Sequence, residues 1–193
     1  MGLVSKVGKV DIEVYGPDEA VSLVDVVNDL YRGAFAGPPF NADEVVVAHQ
    51  RSYYPGVVAR PGFRLVIARL DGVAAGFGFG YLLPEGSQWW SRIIEPLDEA
   101  FTRETGRRTF AVIDYGVLPA YRGTGVGRTV HDVLLAGSGA ERSTLSVRPT
   151  AVDTKAIYFH WGWRRVGHQL MDPPIPSPEF DILVLERMPR LLD

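Results

Sequence analysis

Alternating apolar and polar side chains mark the predicted strands of this chain. Residues 9–16 alternate valine and isoleucine with charged neighbours, as a half-buried strand does. Residues 63–83 predict two strands joined at Asp71 and Gly72, a dipeptide that favours a tight hairpin turn. Four later segments predict further strands: 108–119, 142–149, 163–170 and 180–188.

Apolar residues at helical spacing predict two helices before this hairpin. The first covers residues 16–31, where Pro17 suits the first helical position. The second is predicted to begin at Asn41 and Glu44, which form a capping-box-like pair, and to end at Pro55.

More helical segments follow the hairpin. Residues 87–106 predict one or two helical pieces, interrupted at Pro96. The next predicted helix places four aliphatic side chains on one face: Val126, Val130, Val133 and Leu134. The last helix is predicted to have Asp153 as its N-cap and Gly162 as its C-terminal stop.

The order of these elements indicates a mixed α/β (α+β) fold, with about six to seven strands flanked by helices. A chain of 193 residues suits one domain with a substantial core. Because no repeat or linker interrupts the pattern, a single domain over residues 1–193 is expected.

Composition narrows the classes of function. The net charge of −3 argues against a nucleic-acid binder. Zero cysteines remove thiolate sites, and the four histidines lack ligand spacing, so no metal is expected. Residues 1–16 lack the long apolar run that is typical of a signal peptide, and no stretch approaches membrane-spanning length. A cytoplasmic protein without a membrane partner is therefore predicted.

The strongest chemical signal is the segment from Arg122 to Arg128, which carries Gly123, Gly125 and Gly127 ahead of a helix. Glycines let the backbone approach an anion, and a helix N-terminus offers unpaired N–H groups. A plain tight turn is the alternative. The spacing fits neither the phosphate loop of nucleotide hydrolases nor the dinucleotide-binding fingerprint.

The spacing instead fits the pattern [R/Q]xxGx[G/A], with Arg122, Gly125 and Gly127 at its fixed positions. A strand precedes this segment, and residues 156–163, "AIYFHWGW", are similar to a recurrent "LYxxxGF" segment. In these features the chain resembles the GNAT superfamily of N-acetyltransferases. The resemblance implies a mostly antiparallel central sheet and transfer of an acetyl group from acetyl-CoA to a primary amine. It also implies a homodimer.

The resemblance implies a role for each matching position. The predicted acetyl-CoA-binding residues are Val117, Leu118, Arg122, Gly123, Thr124, Gly125, Val126, Gly127, Arg128 and Tyr158. The Val117 N–H would stabilise the thioester oxygen, and a bulge near Gly116 would free it. Tyr158 would protonate the departing thiolate, although an aromatic ring that only packs the last helix is the alternative reading.

The sequence offers more than one candidate for the general base. Many relatives carry a glutamate where this chain has Ser146. Asp114 is the remaining candidate, either as the base or as the ion-pair partner of an arginine such as Arg148; a water chain could also serve. Strand alternation places Asp114 with Gly116, opposite residues 113, 115 and 117. The missing glutamate motivates a second hypothesis, a non-catalytic acyl-CoA-binding sensor of the same fold.

The acceptor site is predicted between residues 35–44, 51–56 and 171–180. Aromatic residues there and nearby could line an apolar pocket or belong to the core: Phe35, Phe40, Tyr53, Tyr54, Trp89 and Trp90. The acceptor amine stays open between a bulky or aromatic amine, a peptide N-terminus and a lysine.

Overall fold

A seven-stranded sheet organises residues 10–171 and 179–190, the part of the chain that this computed structural model describes. The strands are β1 (Val10–Tyr15), β2 (Arg64–Leu70), β3 (Val73–Leu82), β4 (Thr109–Val117), β5 (Arg142–Val147), β6 (Arg164–Leu170) and β7 (Glu179–Leu185). The helices are α1 (Pro17–Ala20), α2 (Val24–Phe35), α3 (Glu44–Val58), α4 (Glu99–Thr102), α5 (Val126–Ala136) and α6 (Val152–His160). Short 3₁₀ turns cover Val21–Leu23 and Pro119–Tyr121.

The strands lie in the order β1-β2-β3-β4-β5-β7-β6. Neighbours are antiparallel except for β4 and β5, which are parallel. This arrangement confirms the predicted mixed fold with a mostly antiparallel sheet. The described helices include none with the length and hydropathy that a bilayer span needs.

Helices cover both faces of the sheet. On one face α5 and α6 bury an aliphatic and aromatic cluster that includes Val130, Leu134 and Tyr158. On the other face α2 and α3 pack on Phe77 and Phe79 of β3. The segment between β3 and β4 covers the rest of that face, with Trp90 at its centre. Each side chain of β4 therefore contacts either α5 and α6 or, on the opposite face, α2, α3 and the segment between β3 and β4, depending on the face that it occupies.

The hairpin between β2 and β3 turns at Asp71 and Gly72, as predicted. Both residues have positive φ, 51° and 80°, which a type I′ turn requires.

Strand β4 contains a bulge. Asp114 pairs with Phe79, whereas the next pair joins Gly80 to Val112, so Ile113 is the extra residue. The alternation predicted for this strand is therefore wrong at Ile113, because a bulge places two successive residues on one face. The predicted bulge near Gly116 is also wrong, because the register shift lies earlier in the strand.

Helix α3 differs from its prediction at both ends. Its N-cap is Asp43, whose carboxylate accepts the Val46 N–H at 3.0 Å, and Asn41 lies outside the helix at φ 46°. The helix continues through Pro55 to Val58, although proline costs one helical hydrogen bond. Burial of the aromatic and aliphatic side chains around Pro55 compensates for that loss.

Two further helix predictions need correction. Within residues 87–106 the one α-helix is the short α4. Elsewhere in this segment, Trp90 Nε1 donates a buried hydrogen bond to Glu104 Oε1 at 2.9 Å. Helix α6 begins one residue before Asp153, which lies in its first turn and not at its N-cap. Gly162 does end α6, at φ 93°.

Candidate active site

Strands β4 and β5 separate towards their C-terminal ends. Their pairing stops at Val112 and Leu145, although β4 continues to Val117 and β5 to Val147. The separation opens a gap between two neighbouring strands, and within the described ranges no strand pairs with the residues beyond the last pair on that side.

The Val117 N–H points into this gap. Leu118 donates its N–H to the Ala75 carbonyl at 2.9 Å, so the ladder bonds from β4 to β3 alternate through residues 116 and 118. Val117 therefore directs its N–H away from β3. Its carbonyl lies on the same side and accepts from Arg122 Nε at 3.2 Å. Leu118, also predicted to bind the cofactor, has its N–H already engaged.

The glycine-rich segment leads directly into α5. Gly123 and Gly125 have φ of 76° and 91°, a region that L side chains rarely adopt. Gly125 is the N-cap of α5, and no side chain caps this helix end. The first N–H groups of α5 have no intrahelical acceptor, so they are available to an external anion.

Gly127 is needed for a different reason, the close approach of Tyr115. A Cβ at residue 127 would lie 2.8 Å from Tyr115 Oη and 3.4 Å from Val117 Cγ2. The helix N-terminus thus packs directly on the end of β4 next to the gap.

Replacing Gly127 with valine is expected to destabilise the protein by about 1–3 kcal/mol, because overpacking outweighs the gain in helix propensity. Thermal unfolding measures the change. Gly56→Val in α3 is the matched control, because a Cβ there meets nothing within 4 Å. Equal melting temperatures for the two variants would contradict the packing argument.

The polar side chains of this loop bind within the protein. Arg122 Nη2 donates to the Ala34 carbonyl at 2.8 Å, Arg128 Nε pairs with Asp132 at 2.6 Å, and Thr124 Oγ1 donates to Tyr121 O at 2.6 Å. These contacts hold the loop in place. The uncapped backbone N–H groups at the start of α5 are open to an anion, and the half-exposed Arg128 guanidinium keeps further N–H donors beyond its bond to Asp132. Val126 anchors the loop through its buried side chain.

Tyr158 is buried on the α5 side of the sheet. Its ring packs against Trp163 at 5.7 Å and Tyr115 at 6.3 Å between centroids. Burial raises the pKa of its hydroxyl, so this group stays protonated at neutral pH. Its hydroxyl forms no hydrogen bond to any side chain among the described residues, which leaves it available to an external acceptor.

Asp114 faces α3 on the other side of the sheet. The Tyr53 hydroxyl donates a hydrogen bond to Asp114 Oδ2 at 2.6 Å, and Gln50 Nε2 donates to the same oxygen at 3.5 Å. Burial raises the pKa of the Asp114 carboxyl to about 6, and these two hydrogen bonds oppose that rise. The carboxyl therefore exchanges a proton close to physiological pH, which suits a general base.

Asp114 is not paired with Arg148, the alternative partner considered from the sequence. Arg148 donates to the Phe40 carbonyl at 2.9 Å, and its guanidinium lies over the Phe40 ring. Ser146 is exposed on β5. The position that holds glutamate in many relatives thus offers a hydroxyl and no carboxylate.

A row of half-buried aromatic rings borders Asp114. Tyr31 and Phe35 of α2 lie 4.6 Å apart between centroids, and Phe35 and Phe40 lie 4.9 Å apart. Asp114 and Arg148 both act electrostatically on the Tyr31 hydroxyl. Phe35, Phe40 and Tyr53 were predicted at this site, whereas Tyr31 and Gln50 were not.

Two other predicted pocket aromatics are buried in the core, and a third, Trp89, is only partly buried. Tyr54 is fully buried and donates to the Ala20 carbonyl, and Trp90 is buried beneath the segment between β3 and β4. Trp89 donates to Thr144 on β5 at 3.2 Å. Their size and chemistry resemble those of the site aromatics, so only their place in the fold separates the two groups. Residues 172–178 of the predicted acceptor loop lie outside the described residues.

Comparison with known families agrees with this geometry. The model of the Acetyltransferase (GNAT) family matches residues 25–162. The chain belongs to the GNAT acetyltransferase family. The family match spans α2 to α6 and so includes both sides of the gap. A comparison with curated protein sequences finds no match.

Several solved structures share the fold. PH1933 from Pyrococcus horikoshii OT3 is 16% identical with a TM-score of 0.61, over 93% of this chain and 99% of that one. The ribosomal-protein-S18-alanine N-acetyltransferase from Escherichia coli is 14% identical with a TM-score of 0.59, over 92% and 93% of the two chains. A PaiA N-acetyltransferase from Thermoplasma acidophilum, solved in complex with coenzyme A, is 12% identical with a TM-score of 0.55, over 93% and 99%.

Proposed function

We propose that this protein is an N-acetyltransferase that moves an acetyl group from acetyl-CoA to a primary amine by direct attack. The observation that carries the proposal is the gap between β4 and β5. It brings an unpaired strand N–H at Val117 and an uncapped helix N-terminus together on one side. On the other side lies Asp114, a carboxyl whose pKa is raised to about 6.

The donor side fits the groups of acetyl-CoA. The exposed N–H groups at the start of α5 would bind its pyrophosphate, and positive φ at Gly123 and Gly125 lets the backbone approach. The Val117 N–H would donate to the thioester oxygen, where negative charge develops during acyl transfer. When bound, acetyl-CoA supplies the thioester carbon that the amine attacks.

The protein moves protons on both sides of the gap. Asp114 would accept a proton from the substrate ammonium, which frees the nitrogen lone pair for attack. The new C–N bond then replaces the C–S bond. Tyr158 would donate its proton to the departing thiolate, whose parent thiol has an ordinary pKa near 8.5. The acylated nitrogen would release its second proton to solvent, from which Tyr158 regains a proton.

The thermal midpoint with and without acetyl-CoA tests donor binding. A ligand that binds only the folded state, at about 100 times its Kd, adds about 2.7 kcal/mol of stability. For this chain length the midpoint should rise by several degrees with acetyl-CoA and with CoA. ATP and NAD are the controls, and an equal rise with them, or none with CoA, would contradict the donor assignment.

Release of free CoA thiol distinguishes an acetyltransferase from the alternative, a non-catalytic acyl-CoA sensor. That alternative arises because Ser146 stands where many relatives carry a glutamate. A sensor would gain stability from acetyl-CoA but release no thiol with any amine. Asp114 favours the enzyme, because it supplies a carboxylate near the gap without the glutamate. The single domain over residues 1–193, the homodimer and the cytoplasmic location stay predictions.

A further inference from the structure

We infer that the acceptor amine also carries a carboxylate, and that Arg148 binds this carboxylate while the amine lies at Asp114. The inference rests on the proposed function and names the class of its acceptor. Amino acids and related compounds belong to this class, whereas simple alkylamines do not.

The guanidinium of Arg148, directly after β5, has N–H donors available to a ligand at the gap. Among the described carboxylates, none lies within ion-pair distance of its guanidinium, and Nη1 donates to the Phe40 carbonyl at 2.9 Å. A guanidinium has five N–H donors, so this contact leaves others available. The Phe40 ring, 5.6 Å from the guanidinium carbon, covers one face of the group. The free edge then suits the two parallel hydrogen bonds that a carboxylate accepts.

Asp114 and Arg148 form a pair of opposite charges that do not meet. Each lies close enough to Tyr31 to act on its hydroxyl, yet Asp114 takes its hydrogen bonds from Tyr53 and Gln50. Neither half-buried group has an opposite charge in contact among the described residues, so both cost desolvation energy unless a ligand supplies the two opposite charges. An ammonium at Asp114 and a carboxylate at Arg148 meet that requirement.

The surface between the two charges is aromatic. The rings of Tyr31, Phe35 and Phe40 follow one another with centroids under 5 Å apart. An apolar or aromatic body is therefore the part of the substrate that these rings would contact. L-phenylalanine combines all three features, and 2-phenylethylamine differs from it only by lacking the carboxylate.

The experiment compares kcat/KM for matched amines by the release of free CoA thiol. The pairs are L-phenylalanine with 2-phenylethylamine, and 4-aminobutyrate with propylamine, so that two charge spacings are covered. In the wild-type protein the carboxylate-bearing member of at least one pair should react about 10- to 100-fold faster. Arg148→Gln should remove this preference, mainly through KM, while the rate with the amine that lacks the carboxylate stays within about twofold.

Two further variants separate binding from folding. Arg148→Lys keeps the positive charge but loses the two parallel N–H donors of the guanidinium, so it should recover part of the preference. Arg107→Gln is the control, because Arg107 is exposed just before β4, at the end of that strand opposite the gap. Thermal midpoints of all variants show whether each one is folded.

Equal rates within both pairs would overturn the inference while leaving the acetyltransferase proposal intact. The inference would also fail if Arg148→Gln slowed both members of a pair equally. If no amine releases thiol, the proposed function fails, and titration of L-phenylalanine into the CoA-saturated protein becomes the deciding measurement. Binding that Arg148→Gln abolishes would then support the carboxylate site, and absence of binding would overturn it.

Discussion

Replacing Asp114 with asparagine is expected to lower kcat/KM by about 10²- to 10⁴-fold, the range that positioned general acids and bases contribute. The amide keeps the shape of the carboxyl, and its oxygen can still accept the hydrogen bond from the Tyr53 hydroxyl. It cannot, however, take a proton from the substrate ammonium. Acetyl-CoA should raise the thermal midpoint of the variant as much as that of the wild type. Glu85→Gln, at an exposed carboxylate between β3 and β4, is the control.

The pH profile of kcat/KM gives a second view of Asp114. A base acts only when ionised, and burial raises the pKa of this carboxyl to about 6, so activity should fall as pH drops below about 6. Tyr53→Phe removes a hydrogen bond that lowers this pKa, so the acidic limb should move to higher pH. An unchanged limb in Tyr53→Phe, or wild-type rates in Asp114→Asn, would show that another group is the base.

Replacing Tyr158 with phenylalanine is expected to lower kcat by about 10²-fold or more, because the departing thiolate loses its proton donor. Only one hydroxyl is removed, and that hydroxyl bonds no side chain among the described residues, so the fold should keep its stability. The thermal response to CoA should also persist. Steady-state rates of thiol release, with stability measured alongside, test this expectation.

Tyr81→Phe is the control for Tyr158, because Tyr81 is a half-buried tyrosine of β3 that packs on the opposite face of the sheet. A wild-type rate in Tyr158→Phe with every accepted amine would leave Tyr158 as a packing residue of α6. Loss of CoA stabilisation in that variant would point to donor binding instead of proton transfer.

Local patterns were enough to predict most of the fold. The hairpin at Asp71 and Gly72 and the glycine loop before α5 both depend on backbone conformations that few residues adopt. Helix α3 shows where local signals fail. Pro55 usually ends a helix, but burial of Tyr54 and Val58 on either side of it carries the helix onwards.

The segment on the proposed donor side stands out in the sequence, whereas the residues on the proposed acceptor side do not. A phosphate loop is continuous in sequence, so its pattern is visible without the fold. The acceptor side combines α2, α3, β4 and the end of β5, which meet only after folding. Gln50 and Tyr53 lie three residues apart and so share a helix face, a signal that could have linked them. Nothing local connects either residue to Asp114, which is 61 positions beyond Tyr53.

The bulge at Ile113 determines which face of the sheet each later side chain of β4 occupies. If Ile113 instead paired regularly in the ladder, Asp114 would turn towards α5 and Tyr115 towards α3, because successive side chains of a strand alternate. The carboxyl would then leave the aromatic row while the glycine loop stayed where it is. A shift of one position could thus separate the two halves of the reaction without changing the identity of any side chain that takes part in it.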